Sequence, residues 1–127
     1  RRGLRTAYTR LNGGSIGGHL YGHGLYFTTS SCKANQYSGM ETVDSASKSH
    51  KTGHILICRV VLGRPKLLET TNADATDPPD GYHSTYVNST TKHNIGTHAY
   101  QLHDEYIVFN DIECYPEFHM EVECDWH

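Results

Sequence analysis

The chain has 127 residues, of which 36% are hydrophobic and 20% are charged, and its formal net charge is −3 with histidine neutral. This length accommodates one domain with a core of its own and is too short for two. The slightly acidic balance argues against a protein that binds nucleic acid mainly by neutralising phosphates, and no apolar run approaches the roughly 18 residues of a membrane span. No signal peptide is predicted, because Arg-Arg-Gly-Leu-Arg at the start leads into no apolar stretch.

The first part of the chain predicts a loop, a short strand and a short helix. Glycine is frequent in residues 1–23, where its backbone entropy disfavours a helix. The aromatic and apolar run GLYFT (24–28) predicts a strand. The next segment, SSCKANQYS (30–38), predicts a short helix with Ser30 or Thr29 as its N-cap.

The rest of the chain is dominated by predicted strands. The run HILICRVVLG (54–63) is β-branched and nearly continuous, which predicts a central strand covered on both faces. Further strands are predicted at 82–87 and 104–110, and the alternating FHMEVE (118–123) predicts a half-exposed strand. The predicted architecture is a single small α+β domain over residues 1–127, rich in strands and joined by long polar loops.

Cysteine and histidine patterns give no support for a metal site. The four cysteines, at positions 32, 58, 114 and 124, form no CxxC pair, and such scattered thiols favour buried free cysteines in a reducing compartment. His19 and His23 have the i, i+4 spacing of helical metal ligands, but the glycines between and after them disfavour that helix. We therefore expect no metal.

Three side chains are candidates for chemistry. Glu105 precedes the apolar run Tyr-Ile-Val-Phe, so its carboxylate is either partly desolvated and suited to catalysis or a solvated charge at a strand end. Tyr26 and Tyr37 flank a Ser/Thr-rich turn. Taken alone each ring favours ordinary packing, whereas together they suit the two walls of a slot for a planar heterocycle.

Four motifs in order resemble the catalytic domain of the poly(ADP-ribose) polymerase family. The segment YGHGLYFTTSSCKANQYS resembles the family signature in which Gly-x-Gly-φ-Tyr-Phe leads to Lys-x-x-x-Tyr. HILICRVVLGRP is similar to the next core strand, PPDGYHSTY to a Pro-x-Gly-Tyr-Asp-Ser element, and HDEYIVFNDIECYPEFHMEV to the last block around Asn-Glu-Tyr-Ile-Val-Tyr. The match runs from Gly3 to Val122, and the Ser-rich turn is similar to that of fungal members.

The resemblance implies the ADP-ribosyltransferase fold, in which split mixed and antiparallel sheets with few short helices surround a cleft for NAD. It implies that Glu105 is the catalytic glutamate and that residues 5–20 are the loop over NAD. It also implies that the segment 88–103 helps to choose the acceptor. The residues that it assigns to NAD binding are Tyr26, Tyr37, Gly24, Lys33 and Ala34.

The sequence departs from the family pattern in two places. The His-Gly-Ser/Thr strand that opens the family's domain is expected upstream of Gly3, so the chain is expected to be a partial domain. Ala34 stands where the family often has a serine that bonds the nicotinamide amide. The expected function is NAD-dependent ADP-ribosyl transfer, with NAD as substrate, to an acceptor that is a protein rather than a nucleic acid, away from membranes and in the cytoplasm or nucleus. The alternative is an inactive binding module of the same fold.

Overall fold

The computed structural model describes residues 20–38, 51–93 and 100–124. Its strands are β1 (Leu25–Thr28), β2 (Lys51–Val60), β3 (Pro65–Leu67), β4 (Ser84–Val87), β5 (Glu105–Val108) and β6 (Cys114–Cys124). Its helices are α1 (Ser31–Asn35) and a 3₁₀ turn (Asp111–Glu113). The candidate site residues of the N-terminal loop before residue 20 lie outside the described residues.

The strands form two separate sheets. The larger sheet has the order β1-β5-β4-β3, with β5 antiparallel to both of its neighbours and β3 parallel to β4. The smaller sheet pairs β2 with β6 antiparallel, with a register shift between Ile57 and Cys58. The predicted α+β fold with split mixed and antiparallel sheets and few short helices is confirmed.

The central strand β5 has a core cluster on each face. Successive side chains of a strand point to opposite faces, so Ile107 and Val108 enter different clusters. Ile107 packs with Tyr21 and Val87. Val108 packs with Leu25 and Cys114, and Val60 at the end of β2 covers this second cluster. The smaller sheet therefore meets the larger one on the face that carries Val108.

Most of the predicted elements are confirmed, with altered bounds. The strands predicted at 24–28, 82–87 and 104–110 correspond to β1, β4 and β5, and the strand predicted at 118–123 is the end of the longer β6. Helix α1 is shorter than predicted, and Ser30 is its N-cap, since its hydroxyl accepts the Lys33 N–H at 3.4 Å. The parallel strand β3 was not predicted, because its three residues carry too little pattern.

The prediction that the run at 54–63 is a central strand covered on both faces is wrong. The run belongs to β2, which within the described residues pairs only with β6. Leu56 and Ile57 are 46% and 43% exposed. A continuous apolar run reports hydrophobicity but not the number of neighbouring strands, which is set by tertiary topology.

The described cysteines are free thiols with different exposure: Cys32 is exposed, Cys58 is half-buried and Cys114 is buried. The expectation of buried thiols therefore holds for Cys114 and is wrong for Cys32. Across the three described segments, no helix is long and apolar enough to cross a membrane.

Candidate active site

Glu105 lies inside the larger sheet rather than at a solvated strand end. It is the first residue of β5 and is only 8% exposed. Its Cα partners are Thr28 on β1 and Val87 on β4. Because directly opposite residues of an antiparallel pair share a face, Glu105 lies on the same face as these two residues and Ile107. We call this surface of the larger sheet the acid face.

A network of hydrogen bonds reaches the Glu105 carboxylate through Gln101. The side-chain amide nitrogen of Gln101 donates to Oε2 of Glu105. The amide oxygen of Gln101 accepts the hydroxyl hydrogen of Tyr21 at 2.7 Å and lies 2.8 Å from Nε2 of His93. The same nitrogen of His93 lies 2.9 Å from the Tyr21 hydroxyl oxygen. Buried polar atoms at both ends of the Gln101 side chain are thus paired.

The backbone brings His93 and Gln101 together from the two ends of one loop. Lys92 and Tyr100 form an isolated antiparallel bridge, and the Gln101 N–H donates to the carbonyl of Thr91 at 3.0 Å. The Thr91 hydroxyl is fully buried and donates to the Leu68 carbonyl at 2.6 Å. This anchor places both loop ends beside the start of β5.

Tyr26 lies on the acid face, opposite Ile107 in the ladder. Its hydroxyl donates to the Gly22 carbonyl at 2.6 Å and accepts the Tyr21 N–H at 3.1 Å. Burial raises the pKa of Tyr26 well above its ordinary value; the bond from the Tyr21 N–H opposes this rise, and the charges of Glu105, Tyr21 and Tyr37 add to it. The Tyr26 phenol therefore stays neutral and fixed in orientation at physiological pH.

Tyr21 belongs to the same electrostatic neighbourhood. It is 1% exposed, and burial, with a smaller contribution from the negative charge of Glu105, raises the pKa of Tyr21 to about 12. Its hydroxyl therefore acts as a neutral hydrogen-bond donor towards Gln101.

Tyr37 follows helix α1 and presents an exposed ring. The Tyr37 N–H donates to the Ala34 carbonyl at 3.0 Å, which continues the helical turn, and its side chain is 59% exposed. The ammonium of Lys33 lies 5.5 Å from the centre of the Tyr37 ring. A small electrostatic contribution from Tyr37 also raises the pKa of Tyr26.

Two contacts tie helix α1 to the segment that leads into Glu105. The Thr28 hydroxyl donates to the Asp104 carbonyl at 2.7 Å, and the Ser30 hydroxyl lies 3.0 Å from Nδ1 of His103. The turn that carries Tyr37 is thereby fixed relative to the acid.

Gly24 has a packing reason to be glycine. A Cβ atom at this position would lie 2.5 Å from Cγ2 of Ile107 and 2.6 Å from the carbonyl oxygen of Val108. The start of β1 can therefore approach β5 closely only without a side chain. The assignment of Gly24, Lys33 and Ala34 to NAD binding stays a prediction.

The sequence analysis assigned no role in the carboxylate site to Tyr21, His93 or Gln101, and placed the last two only in the segment 88–103 that the family resemblance connects with the acceptor. Tyr21 and Gln101 are 80 residues apart in the chain, and His93 stands in a polar loop whose path no local pattern predicts. Only tertiary structure brings these three side chains to the carboxylate. In the part of the chain that the structure describes, no group of three or more metal-binding side chains occurs.

These features define an α+β protein with two separate sheets and a buried carboxylate on the same sheet face as the Tyr26 phenol. A protein-family model described as the poly(ADP-ribose) polymerase catalytic domain matches residues 1–124. The chain therefore belongs to the poly(ADP-ribose) polymerase catalytic-domain family. At the level of this family, the activity is ADP-ribosyl transfer with NAD as the substrate.

Proposed function

We propose that this chain cleaves the bond between nicotinamide and ribose in NAD and transfers ADP-ribose to an acceptor. The single observation that carries the proposal is the buried Glu105 carboxylate on the same sheet face as Tyr26, with the helix that leads to Tyr37 tied to the segment before Glu105. An acid beside two aromatic rings is the arrangement that the reaction needs.

Glu105 stabilises the reacting sugar in this proposal. Cleavage of the glycosidic bond places positive charge on the ribose, and a carboxylate nearby stabilises that oxocarbenium-like state. At ~4 Å and an effective dielectric near 20, the gross attraction is about 4 kcal/mol. Because Gln101 holds Oε2, Oε1 is the oxygen assigned to the ribose 2′-hydroxyl.

The two tyrosines orient the nicotinamide ring. Tyr26 has its hydroxyl bonded to backbone, so its ring is a fixed wall, while the exposed ring of Tyr37 offers a free face for stacking. Stacking is worth about 1–3 kcal/mol for each ring. Lys33, beside the Tyr37 ring, supplies a positive charge for the NAD phosphates, and Gly24 and Ala34 line the slot with small surfaces.

The remaining parts of the proposal concern the acceptor and the setting. The formal net charge of −3 disfavours a nucleic-acid acceptor, so we propose a protein acceptor. The three cysteines whose side chains the structure describes are free thiols, which is compatible with a reducing cytoplasm or nucleus.

An inactive binding module is the second candidate function, and Ala34 favours it. The serine hydroxyl that the family often places here is missing, and such a bond contributes about 0.5–1.5 kcal/mol. A module of this kind would bind NAD or a partner without releasing nicotinamide.

The test compares the parent with Glu105→Gln and with the neighbouring Asp104→Asn as the matched control, since Asp104 is an exposed carboxylate. Nicotinamide release is followed by mass spectrometry and NAD binding by calorimetry. We expect release by the parent to fall about 1,000-fold in Glu105→Gln, from the ~4 kcal/mol above, with Asp104→Asn near the parent. NAD binding without release by the parent would support the binding module instead.

A further inference from the structure

We propose that Gln101 is a positioning residue for Glu105, and that Tyr21 and His93 fix the orientation of the Gln101 amide. This inference rests on the proposed function for its catalytic meaning. The hydrogen-bond network itself is a property of the fold that can be measured without any activity.

The chemistry of the four groups allows one direction for the hydrogen bonds. An ionised carboxylate only accepts, so the amide nitrogen of Gln101 faces Glu105 and its oxygen faces the other two groups. Tyr21 donates its single hydroxyl hydrogen to that oxygen. Nε2 of His93 lies near the Gln101 oxygen and the Tyr21 hydroxyl oxygen. Neither oxygen has a hydrogen left to donate, so Nε2 must carry the hydrogen. The network assigns this tautomer.

The burial of the network explains why it can hold a carboxylate still. Gln101 is 5% exposed, Glu105 is 8% exposed and Tyr21 is 1% exposed, so water does not readily replace a partner lost among these three, whereas His93 is half-buried. The terminal torsion of a glutamate side chain is broad and roughly two-fold. A donor locked on Oε2 selects one orientation and directs Oε1 away from Gln101, towards the substrate.

Gln101 is in turn held by two side chains, Tyr21 and His93, that come from different parts of the chain. Tyr21 precedes β1, whereas His93 lies eight residues before Gln101 in the chain. Without these two donors, the Gln101 side-chain amide could rotate so that its nitrogen and oxygen exchange positions. The expected hierarchy is therefore Glu105 oriented by Gln101, and Gln101 oriented by Tyr21 and His93.

The kinetic test uses Gln101→Met, Tyr21→Phe and the double variant, with Tyr82→Phe as the control. Methionine keeps the length and apolar volume of glutamine without its amide. Tyr82 contacts Arg64 and Lys66 through its ring face, which phenylalanine keeps. We expect Gln101→Met to lower kcat for nicotinamide release about 10- to 100-fold, with the KM for NAD within about twofold. Tyr21→Phe is expected to give a smaller loss and Tyr82→Phe none.

The double variant separates positioning from general stability. If Tyr21 acts through Gln101, the double variant matches Gln101→Met, because Tyr21→Phe then has nothing left to disturb. Losses that multiply, or an unchanged kcat of Gln101→Met with a lowered melting temperature, would overturn the inference. Circular dichroism and melting curves show which variants are folded.

A spectroscopic readout covers the case in which the proposed function fails. The Gln101 side-chain amide resonance is identified in ¹H–¹⁵N spectra as the one lost in Gln101→Met. We expect its carboxylate-bonded proton to move upfield in Glu105→Gln and to shift in Tyr21→Phe. These shifts in a parent that releases no nicotinamide would leave the network standing and the function rejected. An unresponsive resonance would reject the network in an active or inactive protein.

Discussion

Removal of the exposed Tyr37 ring is expected to weaken NAD binding while leaving the fold intact. Tyr37 is 59% exposed, so Tyr37→Ala opens no core cavity, and the free energy of unfolding should fall by no more than about 1 kcal/mol. The contact with Lys33 accounts for most of that change, since an exposed cation–π pair is worth about 0.5–1 kcal/mol. Loss of one stacking wall costs about 1–3 kcal/mol, which raises the Kd for NAD about 5- to 150-fold.

Tyr86→Ala is the matched comparison. Tyr86 stacks on Tyr106 with ring centres 6.1 Å apart and an interplanar angle of 17°, on the face of the larger sheet opposite the acid face. Its removal should lower the free energy of unfolding by at least about 1 kcal/mol, because the contact between the two rings stabilises the fold in addition to the burial of the half-buried Tyr86 ring. The Kd for NAD should stay near that of the parent.

Calorimetry with NAD and chemical unfolding of both variants decide the matter. The expected result is a crossed pattern, in which Tyr37→Ala changes binding and Tyr86→Ala changes stability. Equal affinities of the two variants for NAD would refute the idea that Tyr37 is a wall of the nicotinamide slot.

Four further predictions follow from single positions. Gly24→Ala should lower the free energy of unfolding by about 2–3 kcal/mol, because the added Cβ meets a backbone oxygen at 2.6 Å that cannot move aside. The control Gly81→Ala, with open space around it at φ 82°, should lower it by only about 1 kcal/mol. Equal losses of the two variants in urea titrations would contradict this prediction. Thr85→Val should raise the free energy of unfolding by about 1 kcal/mol, because the buried Thr85 hydroxyl has no hydrogen-bond partner among the described residues; a loss would show that the hydroxyl is paired. Ala34→Ser should tighten NAD binding about 2- to 12-fold in calorimetry, and an unchanged Kd would remove Ala34 from the slot. Folding raises the pKa of Tyr21 from 10 to about 12, so the unfolded state loses this proton first and the free energy of unfolding should fall as pH rises from 10 to 12. Unfolding titrations of Tyr21→Phe should show a shallower fall over this range. An identical slope would contradict the raised pKa of Tyr21.

The sequence predicts the scaffold well because the scaffold depends on local patterns and on a family signature. The strands around Tyr26 and Glu105 combine aromatic and β-branched residues with clear turn signals, and the family resemblance agrees with the match over residues 1–124. Ser30 was among the two predicted caps because short hydroxyl side chains satisfy free N–H groups at a helix start.

Features that depend on contacts between distant segments could not be predicted. Among the described residues, the strand predicted at 54–63 pairs with β6 alone rather than with two neighbours, and this is a matter of sheet topology. The sequence left open whether Glu105 is partly desolvated or a solvated charge at a strand end. Only the flanking strands β1 and β4 decide between these alternatives. The partner of its carboxylate, Gln101, is held by a bridge across a loop, for which the sequence contains no periodic signal.

That bridge has a practical consequence for engineering. Thr91 and Gln101 are joined by a backbone hydrogen bond of 3.0 Å, so the described residues on either side of positions 94–99 are held close together. Grafts of foreign peptide at positions 94–99 are expected to leave the Glu105 carboxylate undisturbed if Thr91 and Gln101 are kept. If the proposed function holds, libraries that vary only these six positions would test acceptor selection while the hydrogen bond from Gln101 to Glu105 is kept, whereas libraries that include Gln101 would change both at once.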